Sequence, residues 1–294
     1  MKKAGKILTL ALCLSLGCVT FASCGSNEDP GNNTTKYITT AIAREAGSGT
    51  RGAFDELVKS ANGEVLADAP SFAVTVITGN STGAVFASVA QSDNMLGYVS
   101  LGNVAANAST VKSVKVENVE ATNENITNGS YKLSRPFNLV YQNYDDLSDL
   151  AKNFISFIES DEGQSTVNEN YIACAEKVET YVPYTGTATT LKLGGSTSME
   201  ELMKSLAQAF MKLNQGVTVT VEGGGSGTGI AQAGKGFEIG LASRDLKSSE
   251  SGVTARKIAD DGIAVIVKKE VALTNVTLDQ LYSLYVNGTK IECK

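Results

Sequence analysis

From residue 37 onward the sequence keeps returning to one pattern: a short β-branched or apolar run, a loop of Gly, Ser and Thr, then a stretch with apolar residues spaced three and four apart. Strands read at 37–42, 72–77, 96–100, 111–116, 137–141, 191–193, 217–221, 237–242 and 263–267. Helices read at 50–60, 81–89 and 146–158, after the GGSTS loop, from about Thr228, and at 278–285. Leu147, Leu150, Phe154, Ile155 and Ile158 share one helical face; Met199, Leu202, Met203, Leu206, Phe210 and Leu213 share another. Strands and helices in alternation predict parallel α/β layers, in which ligands collect at the carboxyl ends of strands. The 294 residues are 42% hydrophobic, enough for one large core or two smaller ones, since domains of roughly 100–150 residues are commonest. Two lobes are expected, with the Pro/Gly/Thr-rich stretch 179–190 as a connector.

The loops then become the place to look for chemistry. Gly47-Ser48-Gly49-Thr50, Gly195-Ser196-Thr197-Ser198, Gly225-Ser226-Gly227-Thr228 and Ala242-Ser243-Arg244-Asp245 share small hydroxyl residues, and three of them stand where a strand gives way to a helix. Unpaired N–H groups and the positive end of a helix dipole make such a corner an anion site. A single loop of this kind serves equally as an N-cap; four in one chain point to an oxyanion. Arg44 can add a bidentate fork to two oxygens, a geometry lysine does not match. Arg51 and Arg244 read as structural ion-pair partners of the neighbouring Asp55 and Asp245.

The same letters exclude most enzyme chemistry. Gly47–Gly52 fits G-x-G-x-x-G, but no acid closes a second strand at the spacing a dinucleotide site needs. Neither glycine loop contains Gly-Lys-Ser/Thr, so there is no P-loop. The chain has no histidine, which removes histidine-based triads, zincins and most zinc sites. Ser109-Thr110-Val111-Lys112 matches S-x-x-K without the Lys-Thr-Gly that accompanies it. No cofactor and no metal is expected.

Lys2, Lys3 and Lys6 precede the apolar run 7–22, shorter than the ~20 residues of a membrane-spanning helix. Residues 1–23 therefore read as a secretory signal peptide, followed by Phe21-Ala22-Ser23-Cys24-Gly25, which resembles a lipobox with Cys24 as the lipidated residue. Residues 24–35 read as the lipidated cysteine and a flexible tether. Removing 1–23 takes away three lysines and no acids, moving the net charge from −6 to −9, and so argues against nucleic acid as a partner. Cys174 and Cys293 remain, expected as two reduced thiols.

The segments GGSTSMEELMKSLAQAFMKLNQGVTVTVEGGGSGTGI, IGLASRDL, DGIAVIVKK, AREAGSGTRGAFDELV, STGAVFASVAQSDNMLGYVSLG and LSRPFNLVYQ resemble the phosphate-binding lipoproteins of phosphate-specific ABC transporters, over residues 37–288. The resemblance implies a two-lobed type II periplasmic-binding-protein fold, α/β throughout, with two strands joining the lobes and an anion in the cleft. In that family the GGSTS-like segment comes first, and the AREAGSGTRG-like one follows the LYSLYVNG-like one. Here the chain starts with AREAGSGTRG and ends with LYSLYVNG, so it reads as circularly permuted. One lobe would comprise 36–136 plus 266–294 and the other 137–265, with Tyr37 and Cys293 close together.

Carried over residue by residue, the resemblance puts phosphate on Thr197, Ser198 and Ser226 from one lobe and Arg44, Ser48, Gly49 and Thr50 from the other. Some members use a carboxylate to accept the phosphate proton and repel sulfate. Ser243 stands at that position; a serine can accept that hydrogen bond but rejects sulfate less forcefully. The implied protein is a non-enzymatic, monomeric, extracytoplasmic receptor held to the cell membrane by lipid, which hands inorganic phosphate to an ABC permease. Alternatives are a receptor for sulfate or molybdate, a phosphate sensor, or an enzyme using a dinucleotide or a phosphoester.

Overall fold

A computed structural model describes residues 36–174 and 180–294; the signal segment, Cys24 and the tether lie outside them. The first half of the chain runs β1 (Tyr37–Ile38), β2 (Thr40–Arg44), α1 (Gly49–Leu57), β3 (Val76–Gly79), α2 (Thr82–Ala90), β4 (Met95–Ser100), β5 (Val111–Ser113), β6 (Lys115–Val116) and α3 (Asn123–Thr127). Then come β7 (Ser134–Tyr141), α4 (Asp149–Ile158), α5 (Asp161–Asn168), β8 (Ile172–Ala173), β9 (Thr190–Gly195), α6 (Glu200–Leu213), β10 (Thr218–Gly223), α7 (Ser226–Gln232) and β11 (Ile239–Ala242). The long β12 (Thr254–Lys268), β13 (Asn275–Val276), α8 (Leu278–Asn287) and β14 (Ile291–Glu292) complete it.

The main sheet has the order β10-β9-β11-β7-β12-β4-β2-β3. Pairing is parallel at its two ends, β10 with β9 with β11 and β4 with β2 with β3. Between them the sheet is antiparallel: β12 runs against β7 from Thr254 to Gly262 and against β4 from Ile263 to Val267. The expected parallel layers therefore form two separate blocks, and a single strand of 15 residues belongs to both. From Ile258 to Val267 almost every residue of β12 is buried on both faces, which is why its second half reads as a continuous apolar run.

Each block has its own apolar cluster. Leu150, Phe154, Ile155 and Ile158 of α4 and Leu202, Met203, Leu206 and Phe210 of α6 pack on β9 and β11 through Leu193 and Leu241. Phe54 of α1 stacks on Tyr98 of β4 at 3.9 Å, and Leu281, Leu284 and Tyr285 of α8 close the other cluster. The first and last described residues meet beside that second cluster: Tyr37 pairs with Glu292, Ile38 with Ile291, and the Cys293 N–H donates to the Lys36 carbonyl at 2.8 Å. Among the described residues no helix is long and apolar enough to cross a membrane.

Candidate functional site

Parallel pairing in each block aims carboxyl ends of strands toward one line: β2 ends at Arg44, β9 at Gly195 and β11 at Ala242. The next residues after each are the Gly/Ser/Thr loops, and they touch one another. Arg44, 1% exposed, donates its backbone N–H to the Tyr98 hydroxyl at 3.1 Å. Its guanidinium donates from Nε and Nη2 to the two Glu45 carboxylate oxygens, both at 2.8 Å, from Nη1 to Thr82 Oγ1 at 3.1 Å, and from Nη2 to Thr197 Oγ1 at 2.9 Å. The Nε/Nη2 fork is thus occupied by Glu45, and the Nη1/Nη2 edge is the one that faces hydroxyls.

Around that edge Thr50 Oγ1 lies 2.7 Å from Ser198 Oγ, and Thr82 Oγ1 lies 3.3 Å from Thr197 Oγ1 and 3.4 Å from Ser198 Oγ. Arg44, Thr50 and Thr82 come from the block with β2; Thr197 and Ser198 come from the turn before α6 in the other block. Ser48 caps α1, its hydroxyl accepting the Arg51 N–H at 3.3 Å. The first N–H groups of a helix have no carbonyl one turn back, so the start of α1 presents donors here. A cavity of about 790 Å³, lined in part by Ser81, Thr82, Tyr171, Thr197 and Glu200, reaches the edge of this cluster.

A second knot of hydroxyls adjoins the first. The Ser243 N–H donates to Ser226 Oγ at 3.0 Å, Ser196 Oγ donates to Ser243 Oγ at 2.8 Å, and Arg135 Nη1 donates to Ser243 Oγ at 3.2 Å. Gly49 is pressed against it, and Gly227 crosses between blocks to donate its N–H to the Gly47 carbonyl at 2.9 Å. Gly225, at φ 84°, takes the left-handed turn that starts α7 and that a side chain would strain. Arg135 and Asp261 form a buried ion pair at 3.0 Å, across from each other in the β7–β12 register. Burial pushes the Arg135 guanidinium down and the Asp261 carboxyl up, and each charge opposes the shift of the other. Both site arginines have a carboxylate partner, so neutral hydroxyls and peptide dipoles supply most of the remaining donor capacity.

Of the eight residues expected at an oxyanion site, Arg44, Thr50, Thr197, Ser198, Ser226 and Ser243 bond within these two adjoining clusters and Gly49 packs against the second, while Ser48 stands beside Gly49 as the cap of α1. The sequence reading passed over Thr82, Glu45, Arg135 and Asp261, and it named Ser196 only as part of its loop. Ser81-Thr82 has the same strand-to-helix setting as the chosen loops, and a lone arginine inside the apolar run SRPFNLVY is the mark of a buried pair. Arg51 does pair with Asp55, at 3.2 Å. Arg244 pairs with Glu250, at 2.8 and 2.7 Å, and only with the backbone carbonyl of Asp245; the turn that brings Glu250 back also lets it accept the Lys247 N–H. Among the described residues no group of three or more His, Cys, Asp or Glu side chains is placed to hold a metal ion.

The profile of the PBP superfamily domain matches residues 31–162 and 182–290. The chain is 35% identical over 287 residues to phosphate-binding protein PstS 2 of Streptococcus pneumoniae serotype 4, covering 96% of each chain. It is 35% identical over 296 residues to phosphate-binding protein PstS 2 of Streptococcus agalactiae serotype V, covering 98% of this chain and 97% of that one. Among solved structures it is similar to the crystal structure of the phosphate-binding protein of a phosphate ABC transporter from Streptococcus pneumoniae TIGR4, at 34% identity and a TM-score of 0.64, over 87% of this chain and 98% of that chain. Two parallel blocks sharing antiparallel strands, strand ends that face one another, and matches along nearly the whole length lead to one conclusion: the chain belongs to the PBP superfamily and, within it, to the family of the PstS proteins.

Proposed function

We propose that this chain captures inorganic phosphate between the two blocks and hands it to an ABC importer on the outer side of the cell membrane. The observation that carries this reading is the contact of donors across the blocks, Arg44 with Thr197 at 2.9 Å and Thr50 with Ser198 at 2.7 Å. Those groups can wrap a small tetrahedral anion by hydrogen bonds and one partly neutralised cation, which suits binding and release more than chemistry. The ligand set is Arg44, Ser48, Gly49, Thr50, Thr197, Ser198, Ser226 and Ser243, with Thr82 added. The lobes follow the expected division, 36–136 plus 266–294 and 137–265, with the boundary in β12 moved back to Gly262 where its pairing passes from β7 to β4, and they close as a hinge on β7 and β12. The protein acts as a monomer, catalyses nothing, and is anchored through lipid on Cys24.

The same reading takes the segment order as a circular permutation. It is supported by the pairing of β1 with β14, since a chain re-cut within a compact fold needs neighbouring ends.

Calorimetric titration of the protein with phosphate, sulfate and molybdate tests the function. Phosphate should bind at one site per chain, and Arg44→Ala should weaken it by well over about tenfold, or about 1.4 kcal/mol. Absence of phosphate binding at millimolar concentration ends the reading.

A further inference from the structure

The hydroxyls of the second knot have a direction imposed on them. Ser243 Oγ receives two hydrogens, one from Arg135 Nη1 at 3.2 Å and one from Ser196 Oγ at 2.8 Å. A hydroxyl oxygen has two lone pairs and one proton, so both acceptor valences of Ser243 are spent and its own O–H must donate. The oxygen in reach is Ser226 Oγ at 3.3 Å. Ser226 Oγ also accepts the Ser243 N–H at 3.0 Å, which fills its two valences and turns its O–H outward as a donor.

Arg135 cannot turn away from this task. Its Nε and Nη2 donate to Asp261 Oδ2 at 3.3 and 3.0 Å, and both residues are buried. A guanidinium has no acceptor and keeps its proton, so the polarity it imposes does not reverse.

Resting on the reading of this cluster as an oxyanion site, we propose that Arg135, held by Asp261, is a positioning residue that fixes Ser243 and Ser226 as hydrogen-bond donors, so that this corner takes bare oxygens only. Ser243 then does not accept the proton of a protonated phosphate, contrary to what its place in the sequence implies. Sulfate, whose oxygens are all bare at neutral pH, meets this corner as favourably as phosphate does. Discrimination between the two anions does not come from Ser243.

The test compares the full chain with Arg135→Lys, Ser243→Ala and the two combined, each titrated with inorganic phosphate and with sulfate on both sides of phosphate's second ionisation. Lysine keeps a charge for Asp261 but lacks the fork that also serves Ser243, which regains a lone pair. Sulfate, which has no proton to give the freed lone pair, should gain nothing in Arg135→Lys and should lose up to about tenfold as the imposed direction of the Ser226 O–H relaxes, the worth of one hydrogen bond to a charged group. Phosphate affinity should fall less, because the freed lone pair accepts its proton, and the phosphate-to-sulfate ratio should rise most at the lower pH. In the Ser243→Ala background Arg135→Lys should leave that ratio unmoved. Equal losses for both anions, or a ratio shift that survives without the Ser243 hydroxyl, overturn the proposal. A wild-type chain that binds neither anion overturns the site reading beneath it. If Arg135→Lys does not fold, Arg135→Met with Asp261→Leu removes both buried charges together, a swap that cores tolerate, and must raise the same ratio.

Discussion

Gly49 leaves no room for a side chain: a β-carbon there would lie 2.2 Å from Ser226 Oγ and 2.6 Å from Ser243 Oγ, both on the opposite block. Gly49→Ala should therefore hold the blocks apart and weaken phosphate binding by more than about tenfold, since overpacking of this kind costs about 1–3 kcal/mol. A thermal melt of the ligand-free protein should move little, because the blocks can separate without unfolding; unchanged affinity by calorimetry would show that the contact is not part of capture. Asp55 gives a second residue-scale prediction. Its Oδ1 is buried without a hydrogen-bond partner, and burial pushes the carboxyl from 3.8 up to about 6 against the pull of Arg51. The folded state then keeps a proton that the unfolded state has released, so this group's contribution to stability falls as pH rises from about 4 to about 6 and is level above. Asp55→Asn should gain on the wild type through that window by up to about 3 kcal/mol, read from urea midpoints at several pH values. Which hydroxyls would cluster was legible in the loops, because glycine, serine and helix starts are local signals. Arg135 carries a local signal, a charge in an apolar run, but its partner Asp261, 126 residues away, is not legible from it, and nothing local shows that Glu45 folds onto the adjacent Arg44.

At the scale of elements, two helix caps of similar chemistry should separate stability from binding. Thr277 and Gln280 form a capping box at the start of α8, far from the hydroxyl clusters in its contacts. Ser81 caps α2 by accepting the Ala84 N–H at 3.1 Å, and the next residue, Thr82, holds Arg44 Nη1. Thr277→Ala and Ser81→Ala should each cost about 1 kcal/mol in urea unfolding. Only Ser81→Ala should also weaken phosphate binding, because fraying of α2 releases Thr82; equal affinities in the two variants would separate α2 from the site. The helices α4 and α6 were readable because their apolar faces recur at helical spacing. The helix α5 was not: its buried face consists of Gly163, Gln164 and Val167, and Gln164 secures it through bonds to the carbonyls of Ile158 and Ile258. The first nine residues of β12 were missed for a related reason. They read TARKIADDG, with four charged residues among nine and no apolar alternation, and they are a strand because β7 pairs with them on both sides of one bulge at Ile258, a tertiary cause that overrides local preference.

Among the described residues the fold closes on itself at β1 and β14, and this makes the place where it is opened a matter of choice rather than necessity. The strand pair buries Ile38 and Ile291 against the second apolar cluster, and the Cys293 N–H reaches the Lys36 carbonyl, so a short flexible linker can join Lys294 to Lys36 without distorting either strand. The stretch 185–189 is exposed throughout and precedes β9, which makes it a site where a cut removes little packing. A chain opened between Thr187 and Ala188 and joined at the old ends would begin with the GGSTS loop and reach AREAGSGTRG after LYSLYVNG, the order implied by the family resemblance. Such a chain keeps every contact of the two hydroxyl clusters, because none of their residues lies near the cut or the join in sequence. It should therefore fold cooperatively and bind phosphate within about threefold of the original, a difference below 1 kcal/mol, with its melting temperature lowered only by the change in loop closure. Loss of binding in a permuted chain that still melts cooperatively would mean that the present order, and not merely the shared architecture, sets the geometry between the blocks.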